Sequence, residues 1–103
     1  MARHVLRFVQ RFRPASEKAF MALEARFAAL ERKKSLPRGR RSRPFAGREP
    51  VHTLVWECEF PSLAAAQEAL ARMSADPDHE KLLRKQIPYF LDAYTEIYEV
   101  LEL

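Results

Sequence analysis

Apolar and polar residues alternate along three stretches of this chain and recur at helical spacing along two others. From His4 to Arg13, Leu6, Phe8 and Phe12 fall on one parity and Val5, Arg7, Val9, Arg11 and Arg13 on the other, the pattern of a half-buried strand. Pro14 and Ser16 punctuate it, with Ser16 placed as an N-cap. Phe20, Leu23, Phe27 and Leu30 then follow at spacings of three and four, predicting an amphipathic helix of about 18 residues. Lys33 and Lys34 lie where the negative end of the helix dipole favours cations, and Pro37 lies beyond them. Arg38 to Pro50 holds five arginines, two prolines and both glycines of the chain, predicting an irregular or edge strand around Arg40 to Phe45 and a turn near Gly47.

Val51 to Phe60 is the second clear alternation, with Leu54, Trp56, Cys58 and Phe60 on one side and Val51, Thr53, Val55, Glu57 and Glu59 on the other. Pro61 and Ser62 open a helix with the apolar stripe Leu63, Ala66, Leu70 and Met73. Asp76 and Pro77 read as an N-cap and a first helical position, starting a further helical piece through Leu82, Leu83 and Ile87 that Pro88 closes. Tyr94 to Leu103 alternates again, with Ile97, Leu101 and Leu103 on one parity and Tyr94, Glu96, Tyr98, Val100 and Glu102 on the other. The order β, α, β, β, α, β is the ferredoxin-like plan of two split βαβ units in an α+β fold: a four-stranded antiparallel sheet with its helices on one face.

Composition bounds this picture. The 103 residues, 48% of them hydrophobic, make a core for one domain spanning residues 1–103. A sheet this small, covered by one layer of helices, favours burying its other face in a second subunit, so a homodimer is expected. Cys58 is the single cysteine, and no Cys or His cluster has metal-site spacing, which fits a reducing compartment and predicts no metal. The N-terminal residues lack a signal-peptide pattern and no run reaches the length of a membrane span, so a cytoplasmic protein with no membrane partner is expected.

Charge divides the chain. Residues 1 to 48 hold fourteen Lys and Arg against three Glu, and residues 49 to 103 hold four against eleven Asp and Glu, or +11 followed by −7. Such a split suits an external polyanion, or the acidic half of the same fold.

The plan, with the segments VWECEFPSLAAAQEAL, ADPDHEKL and TEIYEVLEL, resembles the dimeric α+β barrel superfamily, in its NIPSNAP-like branch and beside the antibiotic-biosynthesis-monooxygenase-like branch. The resemblance implies two sheets paired face to face with helices outside and a cleft between each sheet and its partner. It implies a protein that binds or transforms a small organic molecule without a cofactor, or a noncatalytic assembly or regulatory module. It carries over no catalytic residue, and no histidine here has the setting of a haem ligand.

In this topology the sheet order is 4-1-3-2, so the basic first strand lies between two acidic ones. Arg7, Arg11 and Arg13 then share the face away from the helices with Glu57 and Glu59, and with Glu96 and Glu102 of the last strand. There they form cross-strand pairs of roughly 0.2 to 1 kcal/mol each, or line a cleft in which Arg7, Arg11, Glu57, Glu59, Tyr94 and Tyr98 bind an acidic or phenolic molecule. Arg40, Arg41 and Arg43 belong to a basic surplus that this plan does not neutralise, making them candidate anion-binding residues or an edge guarded against aggregation. No nucleic-acid-binding module accompanies them, which disfavours nucleic acid. His79 is expected to be exposed and His52 to lie at the core edge, neither with a second ligand at useful spacing. Trp56 and Cys58 are expected in the core, the thiol made inert by burial.

Overall fold

The two strands with the sharpest alternation lie beside each other at the centre of the sheet. The computed structural model describes residues 2–103, with β1 at His4–Phe12, α1 at Glu17–Lys33, β2 at Arg40–Ser42, β3 at Thr53–Phe60, α2 at Leu63–Ala75, α3 at Pro77–Gln86 and β4 at Phe90–Glu99. The order β2-β3-β1-β4 is that of the ferredoxin-like plan, and every neighbouring pair is antiparallel. Leu6 lies opposite Cys58 and Ile97, and Phe8 opposite Trp56 and Thr95, so the even positions of β1 share the helix-facing side with these partners.

Local chemistry sets most boundaries. The Ser62 hydroxyl accepts from the Ala65 amide at 3.1 Å and caps α2. The Asp76 carboxylate accepts from the Asp78 and His79 amides at 3.0 and 2.9 Å, and Pro77 follows at the first helical position of α3. Beyond α1, Ser35 takes the left-handed conformation at φ 54°, which lets the Leu36 amide donate to the Glu31 carbonyl at 3.1 Å and turns the chain toward β2.

Several expectations are corrected. Ser16 occupies the N-cap of α1, but its side chain makes no capping bond, because a single 3-10 turn over Pro14–Ser16 leads into the helix. The buried stripe of α1 is Phe20, Glu24, Phe27 and Glu31, whereas Leu23 and Leu30 are half-buried. In α3 the buried positions are Leu82 and Gln86, with Ile87 exposed. The edge strand stops at Ser42, short of Phe45. The last strand starts at Phe90, earlier than Tyr94, because a 3-10 turn over Ile87–Tyr89 delivers the chain opposite Phe12; it ends at Glu99, leaving Leu101 and Leu103 exposed beyond it.

The helix side holds two buried clusters. Leu6, Trp56 and Met73 form one, with Phe8, Cys58, Phe60 and Leu70 against it; Phe12, Phe20 and Leu54 form the other, with Tyr89 and Phe90. On β4, Ala93, Thr95 and Ile97 share the helix-facing side with their β1 partners yet are exposed, so this edge of the sheet reaches past its helical cover. No helix among the described residues is long and apolar enough to cross a membrane.

Candidate functional site

Glu24 and Glu31 are 4% and 5% exposed, which demands partners for both. The edge strand supplies them. Arg41 lies opposite Trp56 in the register, hence on the helix-facing side, while Arg40 and Ser42 point the other way. The Arg41 Nε donates to Glu24 at 2.6 Å; its Nη2 and Nη1 donate to the two Glu31 oxygens at 2.6 and 3.2 Å. Glu31 also accepts from the Trp56 Nε1 at 3.1 Å and the Gly39 amide at 3.0 Å, and Glu24 accepts from the Gln86 Nε2 at 3.0 Å. Burial alone would lower the Arg41 pKa, but the hydrogen bonds to Glu31 and Glu24 carry it above the usual arginine value.

Gly39 lies flat against the Trp56 indole. A Cβ there would come within 1.7 Å of the Trp56 Nε1, so the approach that lets both groups bond Glu31 needs glycine.

Beside this network, between the sheet and the helices, lies a cavity of about 270 Å³. Phe8, Phe27, Trp56, Leu70, Met73 and Leu83 form apolar walls, and Ala93 and Thr95 stand at its β4 side. Gln10, Gln86, Ser74 and His79 bring polar groups to it. The Gln10 Oε1 is buried without a hydrogen-bond partner. His79, expected to be exposed, is half-buried, with its ring 5.0 Å from that of Phe27. Desolvation lowers its pKa against the opposing pull of Asp76, Glu31 and Glu24, which favours an uncharged imidazole at neutral pH.

The residues expected to form a cleft lie on the opposite face. Arg7 sits between Glu57 and Glu96 in register, with its Nε 3.2 Å from Glu57 and its Nη1 3.1 Å from Glu96. Arg40 reaches the same Glu57 at 3.1 Å, so Arg40, Glu57, Arg7 and Glu96 form one row of alternating charge across all four strands. The Arg7 guanidinium also lies 5.4 Å from the Tyr98 ring centre. Glu59 pairs instead with Arg3 at 3.0 Å, and Arg13 is exposed. Arg11 lies opposite Thr53 and Asp92, and its Nε and the Thr53 Oγ1 are buried without partners. Tyr94 donates to Glu49 from the β2–β3 connection; that bond above all pushes its pKa up to about 12, keeping the phenol protonated at neutral pH.

Of these outer residues Arg7, Arg11, Asp92, Tyr94, Glu96 and Tyr98, but not Glu57 or Glu59, border a groove of about 750 Å³ with Arg48, Glu49 and Pro50. The groove is the larger of the two spaces, and among its charged groups Arg7 and Glu96 pair with each other while Glu49 accepts from Tyr94. The helix-side cavity has the apolar walls and few polar groups of a small-molecule site.

Three of the five arginines between Arg38 and Arg48 find carboxylates within the fold. Besides Arg40 and Arg41, Arg43 lies 2.9 Å from Glu17, whose carboxyl is held below its usual pKa by that hydrogen bond first. His52 also reaches Glu17, at 3.2 Å. Each candidate anion-binding arginine therefore already has a carboxylate. Cys58 is half-buried, its pKa raised chiefly by desolvation, and no metal-binding group of three His, Cys, Asp or Glu lies among the described residues.

The reading of the sequence missed Glu24, Glu31 and Gln86. Their signal is present: Phe20, Glu24, Phe27 and Glu31 recur at four, three and four, a helical stripe as regular as the leucine-containing one.

No protein-family model matches the chain, and no curated protein matches it. Its fold matches that of a NIPSNAP family protein from Agrobacterium tumefaciens with a TM-score of 0.79 and 12% identity, covering 97% of this chain and 87% of the other. A NIPSNAP-like domain protein from Burkholderia xenovorans matches with a TM-score of 0.76 and 19% identity, covering 98% and 85%. An antibiotic biosynthesis monooxygenase matches with a TM-score of 0.71 and 13% identity, covering 96% and 99%.

Proposed function

We propose that this chain, with the fold of the dimeric α+β barrel superfamily, binds a small organic molecule in the cavity between its sheet and its helices. The observation that carries the reading is the cavity itself: about 270 Å³, just below the usual range for ligand pockets of about 300–1,000 Å³, with aromatic and aliphatic walls and a buried acceptor on Gln10 that lacks a partner. A cofactor-independent transformation is part of the proposal, and His79 is the residue placed to take a proton from a bound molecule. The site belongs to a cytoplasmic homodimer in which the row from Arg40 to Glu96 and the exposed Tyr98 meet a second copy.

Methionine methyl NMR tests the binding. Met73 lines the cavity and Met21 is exposed on α1, so titration with benzyl alcohol is expected to shift the Met73 methyl and leave Met21 in place. Ala93→Trp, at the exposed β4 side, is expected to abolish the Met73 response; an unmoved Met73 at saturating probe counts against the cavity. Sedimentation at micromolar concentration tests the dimer, and a strictly monomeric species would refute it.

A second reading retains the outer groove. There Arg7, Arg11, Glu57, Glu59, Tyr94 and Tyr98 serve an acidic or phenolic molecule or, without a ligand, a noncatalytic assembly interface. The observation favouring a ligand is the buried, unpaired Nε of Arg11 in a groove shared with Arg48. Benzoate binding lost in Arg11→Gln, with Met73 unmoved, would place the site there.

A further inference from the structure

We infer that the helix-side cavity selects by charge and hydrogen-bond direction: it takes a neutral or cationic molecule that donates hydrogen bonds and turns away carboxylates and phosphates. This deepens the proposed function and rests on the cavity being a ligand site.

Four of the side-chain donors on the walls, those of Arg41, Trp56, Gln86 and Tyr94, are engaged by the protein itself. Arg41 is the one Lys or Arg lining the cavity, and its Nε, Nη1 and Nη2 go to Glu24, Glu31 and the Gly39 carbonyl. The Trp56 indole N–H goes to Glu31, and the Gln86 amide N–H₂ to Glu24 and the Phe20 carbonyl. The Tyr94 hydroxyl donates to Glu49 on the far side of the strand. An entering carboxylate therefore finds no free cation. It instead meets walls on which two carboxylates, Glu24 and Glu31, stand against one guanidinium.

An acceptor is left over. The Gln10 Oε1 is buried with no donor in reach, at the register position between Leu54 and Ala93. A neutral His79 ring adds one acceptor nitrogen and one N–H donor to the wall. The Ser74 and Thr95 hydroxyls serve either role and do not discriminate. A buried acceptor without a donor is unfavourable until a ligand supplies one, so a ligand N–H or O–H gains there what an anion cannot.

Four probes of nearly one shape test this: toluene, benzyl alcohol, benzylamine and benzoate, titrated against the whole chain with the Met73 methyl as reporter. In the wild-type protein benzyl alcohol is expected to bind about tenfold tighter than toluene, the worth of about one hydrogen bond. Benzoate is expected to bind at least about a hundredfold more weakly than benzylamine. Gln10→Leu, which removes an unpartnered polar atom, is expected to bring benzyl alcohol down to toluene while leaving toluene unweakened; Gln10→Met should repeat the result. Benzoate binding as tightly as benzyl alcohol, or an alcohol-to-toluene ratio unchanged in both variants, overturns the inference while leaving the cavity a ligand site. Binding of none of the four overturns the cavity as a ligand site, and the inference with it.

Discussion

On the helix side of the sheet, Arg41 faces Glu24 and Glu31 with its side chain 19% exposed and theirs 5% and 6%. On the outer side, Arg7 stands between Glu57 and Glu96 with side-chain exposures of 29%, 22% and 33%. Both constellations set one arginine between two carboxylates, but water reaches them differently. In the outer row solvent screens each charge, so the pairs mainly fix strand register and disfavour wrong pairings. On the helix side the carboxylates depend on Arg41, Trp56, Gly39 and Gln86 for what water would otherwise provide. One sheet thus uses the same residue types as register marks on one face and as a buried lock between helix and edge strand on the other.

Removing the two arginines in turn should break that comparison most sharply. Arg41→Met leaves two buried carboxylates facing apolar surface and should cost about 3–5 kcal/mol in denaturant unfolding; a loss below about 1 kcal/mol would mean that the lock is not a lock. Gly39→Ala drives a methyl group into the Trp56 ring and should cost about 1–3 kcal/mol, with β2 displaced. Arg7→Met should cost about 1 kcal/mol or less, an effect that shrinks as salt is raised to about 1 M. A salt-insensitive loss as large as that of Arg41→Met would erase the distinction between the faces.

The smallest expected effect is on pH dependence. His79 has its folded pKa lowered from 6.5, so the unfolded chain binds its proton first. Its contribution is whole above pH 6.5 and is lost as the pH falls through the folded value. Glu17 and Asp76, lowered from 4.5 and 3.8, lose theirs only in more acid solution. Unfolding followed between pH 6.5 and 4.5 should therefore show declining stability that His79→Gln flattens; an unchanged slope would assign the decline to other groups.

The order of elements was legible because alternation in β1 and β3 and the Asp76–Pro77 cap are local signals that the tertiary structure did not override. That Arg7 shares a face with Glu57 and Glu96 followed from strand order and residue parity, whereas their pairing was set by register. The Arg41 lock was not legible in the same way. Leu23 and Leu30 compete with Glu24 and Glu31 for the helix stripe, and residue type favours the leucines. The carboxylates prevail because a guanidinium, an indole N–H and an amide from an irregular stretch converge on them, a convergence that helical periodicity cannot register. The cavity was hidden for a related reason: it lies beside the cluster of Trp56 and Met73, and a gap between side chains leaves no mark on the hydrophobic pattern.

Trp56 is the chain's one tryptophan, and it touches both things that matter on the helix side: its N–H is bound by Glu31 and its ring, stacked on Phe8 at 4.8 Å, lines the cavity. The protein therefore carries its own optical reporter. With the lock intact the indole is shielded from solvent, so its emission is expected toward the blue; opening the lock should move it to the red, and a molecule entering the proposed site should alter its intensity. Folding of the edge strand and occupation of the cavity can be followed through one intrinsic fluorophore, with no label attached.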